Sequence, residues 1–244
     1  MGLLREILDP QFLLHHALYG SVVAGLVCPL IGVYFLLRRL VFWGVALPQA
    51  SAAGIALALM LQGFGWTFMS GAGHEKHLVM AVSVLLTGLV ILVMAFLERR
   101  GGGAPEGRIG AIYALASALA ILFVAWNAAG ETELLGLLRG EIVAISETDF
   151  HLMLDVFCGV AFCMFAFQKE FLLVSFDRDM AATLGRNVML CDLFLYLLIG
   201  LTVSFGVITV GPMVTFGFLV LPPMAALHWA GGMISFSVLA SLCG

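Results

Sequence analysis

Few residues in this chain could do chemistry, and those that could lie close to the ends of long apolar runs. Asp155 and Asp192 are the ionisable groups that fall inside such runs. Ionisable groups within a membrane segment are the first place to look for function. Both sit within a turn or two of a run's boundary, so they read as snorkelling or capping groups. A second candidate is His74-Glu75-Lys76-His77, with His15, His16 and His151 toward the same end of neighbouring runs. Imidazoles suit zinc, copper and nickel, and His74 and His77 at i, i+3 could share an ion. Lys76 between them opposes a cation, which leaves them weak metal candidates. No H-E-x-x-H, G-x-S-x-G or G-x-x-x-x-G-K is present, so neither a zinc-protease, a serine-hydrolase nor a P-loop nucleotide site is encoded by those signatures. No catalytic residue is assigned.

The elements that must position these groups follow from composition. Of 244 residues, 62% are hydrophobic and only 11% charged, with a mean hydropathy of +1.11. A soluble domain carries about 25% charged residues, so this is an integral membrane protein. A net charge of -4 and the lack of a basic run argue against nucleic acid as a partner. Cys28, Cys158, Cys163, Cys191 and Cys243 lie in apolar stretches without the paired spacing of a zinc site or disulfide framework.

A membrane-spanning helix needs about 20 predominantly apolar residues. Candidate spans are Phe12 to Leu37, Val41 to Leu61, Leu78 to Leu97, Ile109 to Ala128, Phe150 to Phe167, Val188 to Ile208 and Val210 to Ala230. After Gly231-Gly232, a twelve-residue apolar tail is too short to cross, which suggests that the natural C-terminus lies further on. The expected fold is therefore all-α: one polytopic bundle over residues 1–244 with about seven spans and a partial eighth. Two spans contain breakers. Gly44, Pro48 and Gly54 interrupt the second, while Gly211, Pro212, Gly217 and Pro222-Pro223 interrupt the seventh. Broken helices at membrane depth point to a substrate path, and a packing kink is the plain alternative. Val45, Pro48, Gln49 and Gly54 are the candidate path residues.

Positive charge sets the orientation. With the first span running outside to inside, the inner loops hold Arg38, Arg39, Arg99, Arg100, Arg108, Lys169, Arg178 and Arg186. Only Arg5, Lys76 and Arg139 fall outside. The acidic segment Gly130 to Asp149 is then external and suits a short helix or re-entrant piece. The segment from Asp177 to Gly185 is internal. Its acidic start suits a helix N-terminus and its glycine a C-terminal cap, so it reads as a short capped helix between two spans.

Four stretches in order carry a resemblance. ALYGSVVAGLVCPLIGVYFLLRRLVFWGVALPQASAAGIALAL, LLRGEIVAIS, SFDRDMAATLG and VGPMVTFGFLVLPPMAAL resemble the zinc/manganese/iron ABC importer permeases, which are related to the cobalamin and siderophore permeases. The resemblance reaches to about residue 230. It implies a multi-pass permease of the bacterial inner membrane that works beside a second copy, a cytoplasmic ABC ATPase and an extracytoplasmic solute-binding protein. The cargo would be a divalent transition metal, with no cofactor in this chain. It assigns Asp177, Arg178, Asp179, Ala181, Leu184 and Gly185 to the coupling helix that docks on the ATPase. One departure bears on cargo. Where the family has G-D-A-x-S/P-H, this chain has Val45 for the aspartate and Gln49 for the histidine, so an ABC permease for a non-metal substrate is the first alternative. A secondary transporter, which should show a mid-membrane acidic or proton-relay residue, is the second.

Overall fold

The computed structural model describes residues 15–63, 74–99, 105–126 and 147–244. Among these the regular structure is helical throughout, in ten helices. They are α1 (His15–Leu37), α2 (Trp43–Gly63), α3 (His74–Arg99), α4 (Pro105–Ala125), α5 (Glu147–Ala166), α6 (Gln168–Phe176), α7 (Arg178–Thr183), α8 (Val188–Val210), α9 (Pro212–Leu227) and α10 (Met233–Cys243). Helices satisfy their own backbone hydrogen bonds, which is what a hydrocarbon solvent demands.

Five of these helices are long and apolar enough to cross a membrane, and a sixth span results if α5 and α6, bent by 65°, are taken together. α9 is apolar but has 16 residues, or about 24 Å at 1.5 Å per residue. It falls short of a hydrocarbon core of about 30 Å. The seven expected spans are thus five or six full ones, with α9 and α10 as shorter apolar pieces. The acidic segment of residues 130–146 lies outside the described residues.

α1, α2 and α8 form the centre. About two thirds of the residues in each of their apolar windows are buried, against 22% in α3 and 17% in the α4 window. Phe35, Leu47, Leu195 and Ile199 are among the fully buried side chains there. Small residues let the backbones close up. A Cβ on Gly54 of α2 would stand 2.8 Å from Ser83 Cα of α3, and one on Gly32 of α1 would stand 1.9 Å from the Leu219 carbonyl oxygen of α9. Hydroxyls knit the same contacts. Ser51 and Ser83 lie 2.8 Å apart, and Ser204 of α8 donates to Thr87 of α3 at 3.1 Å, all four fully buried. Interhelical hydroxyl bonds of this kind hold transmembrane helices together where no hydrophobic drive exists between them.

The two expected breaks differ. α2 is one continuous helix with Pro48 inside it, not a broken one. Pro48 sits in its second turn, so a single backbone bond near the helix start is forfeited and the later turns propagate. The second break is real and falls at Gly211, whose φ of 90° and ψ of 160° suit a residue without a Cβ. It separates α8 from α9, and Pro212 then starts α9 at the position where a missing N–H costs least. Pro222 and Pro223 are carried within α9.

Candidate functional site

The short helix α7 forms where the sequence expects it. Asp177 is its N-cap, extended at φ -145°, and its carboxylate accepts from Met180 N at 2.9 Å. At the other end Gly185 takes φ 74°, and Arg186 N donates to Ala181 O. A left-handed residue just past a helix end closes orphan carbonyls in this way. Arg186 also reaches Glu170 of α6 at 3.5 Å.

α7 has two faces. Ala181 is fully buried, and Arg178, one turn earlier, turns inward to the carboxylate of Asp192. Met180 and Leu184, at i and i+4, are 53% and 60% exposed, and Phe176 just before the helix is 72% exposed. Residues four apart share a helix face, so α7 presents an apolar ridge outward while resting on the bundle through Ala181 and one ionic link.

That link belongs to the centre of the molecule. Asp192, in the second turn of α8, receives Arg38 Nη1 on Oδ1 at 2.7 Å and Arg178 Nη2 on Oδ2 at 3.3 Å. Arg38 follows the last residue of α1. Its Nε donates to Ser175 Oγ at 2.9 Å, and its guanidinium lies 5.9 Å from the Tyr196 ring centroid. Tyr196 in turn stacks on Trp43 of α2 at 5.4 Å. One carboxylate therefore gathers α1, α6, α7 and α8, with α2 one ring further on. Asp192 is neither a snorkelling nor a capping group, as its position in the run suggested. It is a buried anion paired on both oxygens, the arrangement that makes a buried charge tolerable. The opposite charges at one end, Arg38-Arg39 closing the first run and Asp192 opening the sixth, were the available signal. Asp155 is exposed on α5.

The candidate path residues divide. Val45 and Gln49 are half-buried on the continuous helix α2, four residues apart and therefore on one face. Pro48 and Gly54 are buried, and Gly54 serves the close α2–α3 approach. His74 opens α3 rather than lying in a loop, and His77 is exposed one turn later. Among the described residues no three His, Cys, Asp or Glu side chains are grouped to hold a metal ion.

A polytopic helical bundle with closely packed small residues, a glycine-broken segment and a short capped helix hung between two spans defines a multi-pass membrane protein. Residues 11–244 match the ABC 3 transport family, and the chain belongs to that family. It is 27% identical over 199 residues to the manganese transport system membrane protein MntC of Halalkalibacterium halodurans, covering 81% of this chain and 63% of that protein. It is 26% identical over 239 residues to the zinc transport system membrane protein TroC of Treponema pallidum, covering 96% and 77%. The chain thus spans somewhat less than two thirds of the length of the first relative and about three quarters of the second. Among solved structures, PsaBC from Streptococcus pneumoniae in complex with Fab superposes with a TM-score of 0.79 at 23% identity, over 96% of this chain and 79% of that one. This likeness establishes the fold.

Proposed function

We propose that the chain is the permease subunit of a binding-protein-dependent ABC importer for a divalent transition metal ion, manganese or zinc being the cargoes named for its relatives. Two copies line a central path, an ATPase binds each coupling helix on the cytoplasmic side, and a solute-binding protein delivers cargo from the opposite side. Hydrolysis belongs to the ATPase. This chain supplies the path and the joint. ATP-driven closure of the ATPases moves α7, and the bundle re-orients by alternating access.

The observation that carries this reading is the two-faced helix α7. A capped helix with an outward apolar ridge of Met180 and Leu184 is suited to a groove on a soluble partner, and its inward Arg178 ties it to the ends of α1 and α8. Exposed apolar side chains on a helix that itself is too short to span mark a contact with a protein or the membrane surface, and the ionic tie inward favours a protein. The test is co-expression with a candidate ABC ATPase from the same organism, followed by affinity capture and metal-stimulated ATP hydrolysis in liposomes. Replacing Met180 and Leu184 with aspartate should abolish capture while the permease stays in the membrane. Undiminished capture would overturn the coupling-helix assignment.

The residues Val45 and Gln49 favour a second reading, a non-metal cargo in the same architecture. Valine offers no ligand, and an amide oxygen is a neutral one. Transport by the reconstituted complex of radioactive manganese or zinc, delivered by its own binding protein, separates the two readings.

A further inference from the structure

A groove of three adjoining hollows that share lining residues runs along the outside of α3 and α8 and ends among arginines. Its upper part, about 290 Å³, is walled by Gly88, Leu92, Leu197 and Gly200. The next part, about 550 Å³, shares Leu92, Leu193 and Tyr196 with the first and adds Phe96, Met189, Arg178 and Asp192. The last, about 300 Å³, shares Arg178 and Tyr196 with the second and is lined by Arg38, Arg39 and Ser175. The walls open sideways, since Leu92, Phe96, Met189, Leu193 and Leu197 are all more than 40% exposed.

The basic end carries surplus charge. Arg38, Arg39 and Arg178 line this end with one carboxylate, Asp192, which Arg38 and Arg178 hold. Arg38 Nη2 is buried without a hydrogen-bond partner. Arg39 is exposed and takes a left-handed φ of 57°, an uncommon conformation for a residue with a Cβ. A long apolar trough ending at the exposed Arg39 and at Arg178, whose one carboxylate partner is shared with Arg38, matches one kind of molecule, with hydrocarbon chains at one end and a phosphate at the other. Basic pockets between transmembrane helices on the cytoplasmic side recognise anionic lipid head groups, and guanidinium forks suit phosphate oxygens.

We infer that the α3–α8 groove is a binding site for an anionic phospholipid, its acyl chains along Gly88, Leu92, Leu193 and Leu197 and its phosphate at Arg39 and Arg178. Among the described residues the one carboxylate lining the groove, Asp192, is held by two of its three arginines, so the charge left over suits an anionic head group. Because Arg178 also holds α7 to Asp192, the lipid phosphate competes for that arginine and loosens the helix. The site stands independently of the transport reading above.

The test uses the full-length protein in nanodiscs containing equal phosphatidylglycerol and phosphatidylcholine. The protein is released into mild detergent, and its retained lipid is counted by native mass spectrometry. The wild type should retain phosphatidylglycerol in preference. Arg39→Asn keeps a residue at home in the left-handed region and should lower that preference about five-fold, the effect of one arginine near an anionic lipid surface. Gly88→Leu fills the trough where an added Cβ meets nothing within 4 Å, and should lower retention of both lipids. No preference in the wild type, or retention unchanged in both variants, overturns the site. Loss of the preference on adding excess inorganic phosphate would mean that the arginines take a free anion instead. A Gly88→Cys variant lacking the other cysteines that cross-links between copies would mean that a second permease covers the groove.

Discussion

Arg38 and Asp192 are 154 positions apart in sequence and 2.7 Å apart in space, an ion pair in which the arginine side chain is 6% exposed and the aspartate 11%. It ties the end of α1 to the start of α8. Arg178 adds α7 to the same carboxylate from a position that is 59% exposed. The two halves of this triad should therefore respond differently to substitution. Asp192→Asn leaves Arg38 as a buried charge without its counter-ion, a loss of about 3–5 kcal/mol. Arg178→Gln removes a largely exposed partner worth about 1 kcal/mol or less. Thermal unfolding in detergent should show a large drop for the first and almost none for the second. Equal losses would mean that Arg178 is part of the structural core.

Arg178→Gln then becomes the informative variant for coupling. The folded permease should still reach the membrane and capture its ATPase through Met180 and Leu184. Movement of α7 would no longer be passed to Asp192, so ATP hydrolysis should run without matching transport. The ratio of ions moved to ATP consumed in liposomes is the measurement, and an unchanged ratio would remove the joint from the mechanism.

Much of this arrangement is legible in the sequence, and the remainder has identifiable reasons for being hidden. The spans and the capped helix follow from run length, the Asp177 cap and Gly185, because those signals act locally. The Arg38–Asp192 pair is not local. Each residue alone has an ordinary explanation at a span boundary, and only the folded bundle brings the two runs' ends together. Pro48 misleads for a different reason. Proline's disruption depends on where in the helix it falls, and one residue fewer or more of preceding helix is invisible in composition. Gly54 looks like a breaker in sequence and is a contact point in the fold, its place fixed by Ser83 on another helix.

The close helix contacts give a stability prediction with an internal control. Gly54→Ala places a methyl group 2.8 Å from the Ser83 backbone, and Gly32→Ala places one 1.9 Å from a carbonyl oxygen. Forcing the helices apart should cost about 1–3 kcal/mol for the first and more for the second. Gly159→Ala on α5 meets nothing within 4 Å and should be neutral or stabilising by about 0.5–1 kcal/mol. Thermal shift in detergent orders the three, and a reversed order would place the α1–α9 and α2–α3 contacts wrongly.

Orientation is open to direct chemistry. Arg38, Arg178 and Asp192 meet at one end of the bundle, as the loop charges require of the cytoplasmic side. His77, exposed at the start of α3, belongs on the other side. In a variant lacking its five cysteines, His77→Cys should react with an impermeant thiol reagent in intact cells. Ala182→Cys on α7 should react only after the cells are opened. The reverse pattern would invert the whole bundle and with it the coupling-helix assignment.

The last prediction concerns Val45 and Gln49. Because α2 runs unbroken through Pro48, the two side chains keep their four-residue spacing and face the same way, each half-buried. Val45→Asp with Gln49→His would therefore set a carboxylate and an imidazole side by side, donors that between them suit manganese and zinc. If this face lines the path, the double variant should retain more metal than the parent, measured by elemental analysis of purified protein. It should also transport more slowly, since conduction needs binding weak enough to release the ion. If the face merely packs against neighbouring helices, the new carboxylate is an unpaired charge at membrane depth. The variant then loses expression or thermal stability with no gain in metal. Unchanged metal content in a well-folded double variant would equally remove Val45 and Gln49 from the path. The paired requirement of more metal with slower transport separates a ligand set on the path from a metal site created by chance elsewhere on α2, which would retain metal and leave the transport rate untouched.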